Sequence, residues 1–188
     1  IARRIREMKV YAEIVPYFYS IEEIKKEKPA AVILSGGPSS LYEKDAPRVS
    51  KDIFELGVPV LGICYGLYLV VDAFGGTSES AKSREYGRAT VKKQGTSALF
   101  KGMKAKEVVW MSHGDRVVKP PKGFTVVGAT ENAETAAIEN SQKKIYGVQF
   151  HPEVHHTENG IMFLKNFIFD ICKLKPTWTM KSFVDSSV

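Results

Sequence analysis

The chain has little cysteine, no long apolar run and no stretch of biased composition. Cys64 and Cys172 are the only cysteines in 188 residues. A disulfide-stapled secreted fold is therefore not indicated, and the two read as free thiols in a reducing compartment. No apolar run approaches the ~20 residues that span a bilayer, and no signal peptide is visible. The expectation is a cytoplasmic protein with no membrane partner. Internal repeats and low-complexity segments are absent as well. Zinc-finger spacing, an RNP-like motif and a basic-aromatic stripe are all missing, so the net charge of +6 does not read as a nucleic-acid footprint. Charges instead alternate in sign, as in Glu22-Glu23-Ile24-Lys25-Lys26-Glu27-Lys28, the pattern of a solvated helix face. What remains is ordinary: 44% hydrophobic residues in a length that suits one domain with a sizeable core.

The order of elements begins as strands and helices in alternation. Residues 1–9 read as a helix, 11–17 as a strand, and 20–28 as a helix with Ser20 at its N-cap. Ala30 to Ser35 reads as a buried strand, and 46–56 as an amphipathic helix closed by Gly57. A strand and helix around Cys64 follow. This is a parallel α/β pattern. Beyond Gly75-Gly76 the pattern turns β-rich, with strands near 86–93, 106–112, 124–130, 135–139 and 144–150, a turn at Pro120-Pro121-Lys122-Gly123, and a closing helix over about 158–174. Cys172 falls on that helix as a packed residue.

The run Val58-Pro59-Val60-Leu61-Gly62-Ile63-Cys64-Tyr65-Gly66 carries the most chemistry. An apolar strand delivers a thiol into a G-x-C-x-G turn, and Leu67 to Phe74 reads as a buried helix. This is a nucleophile elbow with sulfur in place of oxygen. The helix N-terminus beside the thiol favours a thiolate. A buried structural cysteine is the competing reading. Downstream, the strand Lys144 to Phe150 ends in His151-Pro152-Glu153. Residues i and i+2 of an extended segment share a side, so His151 and Glu153 can face one pocket. A cysteine nucleophile needs a base, and the base needs an orienting group. Alone, H-x-E reads first as a solvated surface pair; beside the elbow it becomes a base and its orienter.

Two further clusters are ambiguous. Ser35-Gly36-Gly37-Pro38-Ser39-Ser40 follows a buried strand, where glycine-rich loops cradle phosphate. It also looks superficially like the pyrophosphatase Ser-Gly-Gly-x-Asp-Ser loop, but the Asp is missing. His151, His155 and His156 cluster with Glu153 and Glu158. Adjacent histidines cannot present both rings to one face of a strand, and the spacing matches no common zinc pattern. No metal is expected there, and His155 and His156 read as surface residues.

Taken together these residues resemble the class I (triad) glutamine amidotransferases, and within them the glutaminase of the GMP synthetase branch. The resemblance spans nearly the whole chain. It rests on Ala2 to Glu7, Ile33 to Ser40, Gly62 to Gly66, Arg84 to Ala89, Met111-Ser112-His113-Gly114-Asp115 and Gly147 to Glu153, with His156 to Gly160 closer to the branch. It implies a flavodoxin-like open α/β sheet, mostly parallel, with antiparallel strands in the C-terminal half and helices on both faces. It implies glutamine as substrate, hydrolysed through a thioester on Cys64 with His151 and Glu153 completing the triad. A backbone N–H of Gly36 or Gly37, with that of Tyr65, would form the oxyanion hole. Ser112 and His113 would meet the amino-acid end of glutamine through backbone groups.

The family has Gln where this chain has Tyr68, one helical turn from Cys64. The departure puts Tyr68 at the substrate's amino-acid end and keeps open a second class, a binding or regulatory module with weak turnover. The family also carries a strand upstream of Ala2, so 1–175 is read as an amidotransferase domain lacking its first strand. Residues 176–188 are read as a tail or linker toward an ATP pyrophosphatase synthetase, fused or separate, which would aminate XMP to GMP. No cofactor is expected in this domain; ATP and Mg belong to the synthetase.

Overall fold

The computed structural model describes residues 1–179, and of residues 81–84 the backbone alone. In chain order the elements are α1 (Ala2–Glu7), α2 (Ile21–Glu27), β1 (Val32–Leu34), β2 (Val60–Ile63), α3 (Tyr65–Ala73), β3 (Thr77–Lys93), β4 (Lys106–Lys119), β5 (Thr125–Ala129), β6 (Ala137–Asn140), β7 (Ile145–Val148) and α4 (Gly160–Lys165). Short 3-10 turns lie at Lys51–Glu55 and Ala98–Phe100, and α4 runs on as a π-helical segment over Asn166–Ile171. Among the described residues the strands form one seven-stranded sheet, ordered β1-β2-β7-β6-β5-β3-β4.

Parallel pairing is confined to β1, β2 and β7, and the other neighbours are antiparallel. The parallel share is thus smaller than the early alternation of strands and helices suggests. Two segments depart from that alternation. Residues 11–17 are not a strand. They line a cavity of about 1510 Å³ together with Ala31, Val32 and Ile33 at the open edge of β1. A strand needs a neighbour within hydrogen-bonding reach, about 4.8 Å away, and β1 pairs with β2 while residues 11–17 enter no ladder. The expected helix over 46–56 is also reduced, to a 3-10 turn capped by Ser50 on the Asp52 N–H. Its N-terminal half is held as a loop: the Pro47 carbonyl accepts from Tyr65, and Arg48 reaches the Leu41 carbonyl. Gly57 does close the segment, at φ +74°.

Helices cover both faces. In β2, Leu61 and Ile63 point to one side and Val60 to the other, and β7 alternates in the same way. The first face buries Phe163, Leu164, Phe167 and Ile168 with Ile5 of α1. The second buries the apolar face of α3 with Ile21, Ile53 and Ile145. Each such side chain, fully buried, contributes about 1.5–3 kcal/mol. At α2 the N-cap reading becomes a full capping box, with Ser20 Oγ taking the Glu23 N–H and the Glu23 carboxylate taking the Ser20 N–H.

The β3–β4 hairpin is longer than the sequence indicates, because β4 continues through Ser112 to Lys119. Near the C-terminal end, the Trp178 backbone N–H donates to the Lys9 carbonyl at 2.8 Å, and the Trp178 ring lies near Tyr11. The first residues of the expected tail therefore pack back on the domain, and 180–188 lie outside the described residues. No helix among the described residues is long and apolar enough to cross a membrane.

Candidate active site

Three adjacent parallel strands deliver the three parts of the site. Gly36 and Gly37 follow the carboxyl end of β1, Cys64 follows β2, and His151 follows β7. The carboxyl ends of parallel strands are where α/β sheets place ligands.

Cys64 sits at the turn between β2 and α3 with φ 52° and ψ −105°. A non-glycine residue at positive φ outside the helical wells stores roughly 1–3 kcal/mol of strain. Packing holds it there. The Cys64 N–H donates to the Val148 carbonyl at 2.8 Å. A Cβ on Gly62 would lie 2.3 Å from the Gly66 carbonyl oxygen, and a Cβ on Gly66 would lie 2.2 Å from that of Leu34. Only glycine fits either position, so the G-x-C-x-G pattern reflects close backbone approach. Cys64 is 3% exposed, and its Sγ lies 3.5 Å from the Ser112 carbonyl.

His151 and Glu153 come together beside it. His151 Nδ1 is 2.8 Å from Glu153 Oε1, which leaves Nε2 for the Cys64 thiol, whose charge acts on the ring. The backbone around His151 is clamped: its N–H donates to the Trp110 carbonyl, and Thr157 Oγ1 donates to its carbonyl at 2.6 Å. Arg4 of α1 donates to the Glu153 carbonyl at 3.0 Å. Sequence reasoning missed Thr157 and Arg4 in these roles, since both act across the fold with no local pattern to mark them. Gly36 closes the group. A Cβ there would meet the His151 ring at 2.8 Å and Cys64 Cβ at 3.3 Å. Gly37 faces Tyr65 at van der Waals distance.

The charges follow from this geometry. Burial alone would lower the His151 pKa, but hydrogen bonds and charges from Cys64 and Glu153 outweigh it and push it up to about 10. For Glu153 burial favours the neutral acid, yet the His151 contact prevails and holds the carboxyl below the usual range. An imidazolium between a carboxylate and a thiol is the partner a thiolate requires. Cys172 has no such neighbour; burial pushes its thiol up to about 12.

These shifts give a stability window. The His151 contribution is complete below its ordinary value of 6.5 and disappears as pH rises through about 10. The Glu153 contribution is complete above its ordinary value of 4.5 and disappears as pH falls through its depressed folded value. Both are complete between about pH 4.5 and 6.5. We expect the melting-temperature gap between the wild type and His151→Gln to be widest in that window and to narrow steadily toward pH 10. A gap that grows with pH over this range would contradict the assignment.

The expected substrate-end residues are placed differently from one another. Ser112 is exposed and presents its carbonyl to Cys64. His113 is buried with both ring nitrogens engaged, by Glu85 and by the Asp115 carbonyl, so only its backbone can face a ligand. Tyr68 departs from the expectation. It is 3% exposed, and its hydroxyl donates to the Asp115 carbonyl rather than facing open space. Its ring belongs to the core under α3, and its hydroxyl is committed to the Asp115 carbonyl. His155 and His156 are exposed, and His156 stacks on Trp110. Among the described residues no group of three His, Cys, Asp or Glu side chains could hold a metal ion.

A thiol on a strand elbow, a histidine after a neighbouring parallel strand and a carboxylate two residues on form a geometry suited to cysteine-dependent acyl transfer on an α/β sheet. The chain belongs to the glutamine amidotransferase class-I family, whose model matches residues 1–171. Among curated relatives, a glutamine-hydrolyzing GMP synthase from Brachyspira hyodysenteriae is 54% identical over all 188 residues. One from Clostridium kluyveri is also 54% identical over the whole chain. The chain spans 37% of the length of each. Among solved structures, a GMP synthase subunit from Thermoplasma acidophilum has a TM-score of 0.75 at 28% identity, covering 99% of this chain and 89% of that one.

Proposed function

We propose that this chain hydrolyses glutamine and supplies the ammonia to a synthetase that converts XMP to GMP. The observation that carries the glutaminase reading is the Cys64–His151–Glu153 arrangement beside the Gly36-Gly37 loop. The Cys64 thiolate attacks the side-chain carboxamide carbon of glutamine. The C–O π electrons move to oxygen, and N–H groups from the Gly36-Gly37 loop and Tyr65 hold the resulting oxyanion. His151 imidazolium gives its proton to the departing nitrogen, the C–N bond breaks, and ammonia leaves a γ-glutamyl thioester. Neutral His151 then takes a proton from water, the hydroxide attacks the thioester carbon, and glutamate and thiolate are released. Glu153 holds the ring and stabilises its charged form.

Ammonia is a nucleophile only when unprotonated, so direct transfer to a synthetase site suits this chemistry. The relatives' names and the 37% of their length that this chain spans support a synthetase carried elsewhere in the protein or by its partner. ATP and Mg would serve that site alone, with no cofactor in this domain. Two unpaired cysteines, one of them nucleophilic, suit the reducing cytoplasm.

The test combines turnover and labelling. Glutamate should be released from glutamine, and release should rise when XMP, ATP and Mg are present in the full-length protein. A glutamine analogue with an electrophilic side chain should label Cys64 and spare Cys172. Equal labelling of both thiols, or no glutamate release under either condition, would overturn the reading.

A further inference from the structure

Cys64 and the Gly36-Gly37 loop come from different strands, and something must hold the loop in register with the nucleophile. The described residues offer a buried polar network with no part in the chemistry so far. At its centre is Asp115 on β4, 6% exposed. Its carboxylate Oδ2 accepts from Ser40 Oγ at 2.5 Å. Ser40 lies three residues beyond Gly37, and its Oγ also accepts the Tyr42 N–H. The Asp115 carbonyl accepts two donors. One is the Tyr68 hydroxyl, from the helix that begins at the nucleophile, and the other is His113 Nδ1 at 2.7 Å. A carbonyl has two lone pairs, so this one is fully committed. His113 is fixed in turn by Glu85 of β3, 3.1 Å from Nε2, with side chains 2% and 10% exposed. Glu85 receives further, longer contacts from Thr130 and Asn132.

We propose that Asp115 is a positioning residue for glutamine hydrolysis: its carboxylate fixes the Gly36–Ser40 loop, and its carbonyl, held by Tyr68 and His113, ties that loop to the nucleophile helix. The backbone N–H groups of the loop stabilise an oxyanion only if they sit within a few tenths of an ångström of its position. Pro38 limits the loop internally, but one end joins β1 and the other is anchored by Ser40. Tyr68 makes the same residue answer to α3, so loop and elbow share one reference point. This also gives Tyr68 a role that its buried hydroxyl permits. A direct contact with glutamine is not needed to explain why a tyrosine is accommodated there.

The inference rests on the glutaminase reading, and the experiment separates the two. The full-length protein is compared with Ser40→Ala, Asp115→Ala, Asp115→Asn and the Ser40→Ala/Asp115→Ala double variant. Misplacing or losing one oxyanion donor should lower kcat for glutamate release about 10- to 100-fold in Ser40→Ala and Asp115→Ala, with KM changed by less than about threefold. The double variant should be no worse than Asp115→Ala, since both remove one interaction. Asp115→Asn keeps an acceptor oxygen for Ser40 and should recover most of kcat. Alkylation of Cys64 by iodoacetamide passes through no oxyanion, so its rate should stay within about twofold of wild type in every variant. Wild-type kcat in Ser40→Ala would overturn the proposal while leaving the glutaminase reading intact. So would parallel losses of kcat and alkylation, or a failure of Asn to rescue, because a merely structural role predicts those. A wild-type protein that releases no glutamate would overturn both.

Discussion

Cys64→Ala should abolish glutamine hydrolysis, with a loss on the order of 10⁶-fold in kcat, the scale seen when the nucleophile of a triad is removed. The expectation follows from placement. Cys64 is the one cysteine at the elbow, and the other, Cys172, has no histidine partner and a thiol pushed up to about 12. Alanine fits the space, and Gly62 and Gly66 are untouched, so the fold should survive. In the full-length protein proposed above, synthesis from added ammonium salts should persist, because that reaction bypasses Cys64. Two assays on one variant therefore decide the matter: glutamine-dependent and ammonia-dependent formation of GMP. Loss of both would mean that the substitution had damaged the synthetase or its docking. Retention of both would remove Cys64 from the mechanism.

His151→Ala should be nearly as damaging, because members of a triad act as a unit. His151 supplies the proton that ammonia takes and then activates water, so both halves of the reaction lose their acid or base. Glu153→Ala should cost less, on the order of 10⁴-fold, since the imidazole remains but loses its orientation and the charge that stabilises it. In this structure the ring is also held through the backbone by Trp110 and Thr157, which limits how far it can stray. The order of effects is the measurement: kcat in His151→Ala below that in Glu153→Ala, both in folded protein. If Glu153→Ala matched His151→Ala, the carboxylate would have a larger part than orienting and stabilising the ring.

Much of the site was legible because its parts are local. The elbow is a strand, a turn and a helix within consecutive residues, and its glycines mark backbone contacts of 2.2 and 2.3 Å that a Cβ would make. His151 and Glu153 are two residues apart, so extended geometry alone aligns them. The capping box at Ser20 and Glu23 is equally local. Features that needed a distant partner fared differently. Residues 11–17 are rich in the tyrosine, isoleucine and valine that suit a strand, but composition cannot supply the neighbour that completes a ladder. The stretch 113–119 lacks a clear apolar alternation, because its inward positions include His113 and Asp115; the period of two is carried partly by polar residues. Helical spacing from Cys64 gives the direction of the Tyr68 side chain but not which carbonyl its hydroxyl will meet.

By itself the amino-acid sequence determined the chemistry and its local frames: a thiol on a strained turn, a histidine with a carboxylate two residues on, and a glycine loop after a buried strand. Each depends on neighbours in the chain, where covalent geometry acts directly. Only the tertiary structure decided that β1, β2 and β7 lie side by side, so that Gly36, Cys64 and His151 converge. It alone decided that Ser40, Tyr68, His113 and Glu85 meet at or behind Asp115. Strand order and buried polar contacts are settled by the packing of whole faces against one another. That energy is a sum over many distant pairs, and no short window of sequence contains it.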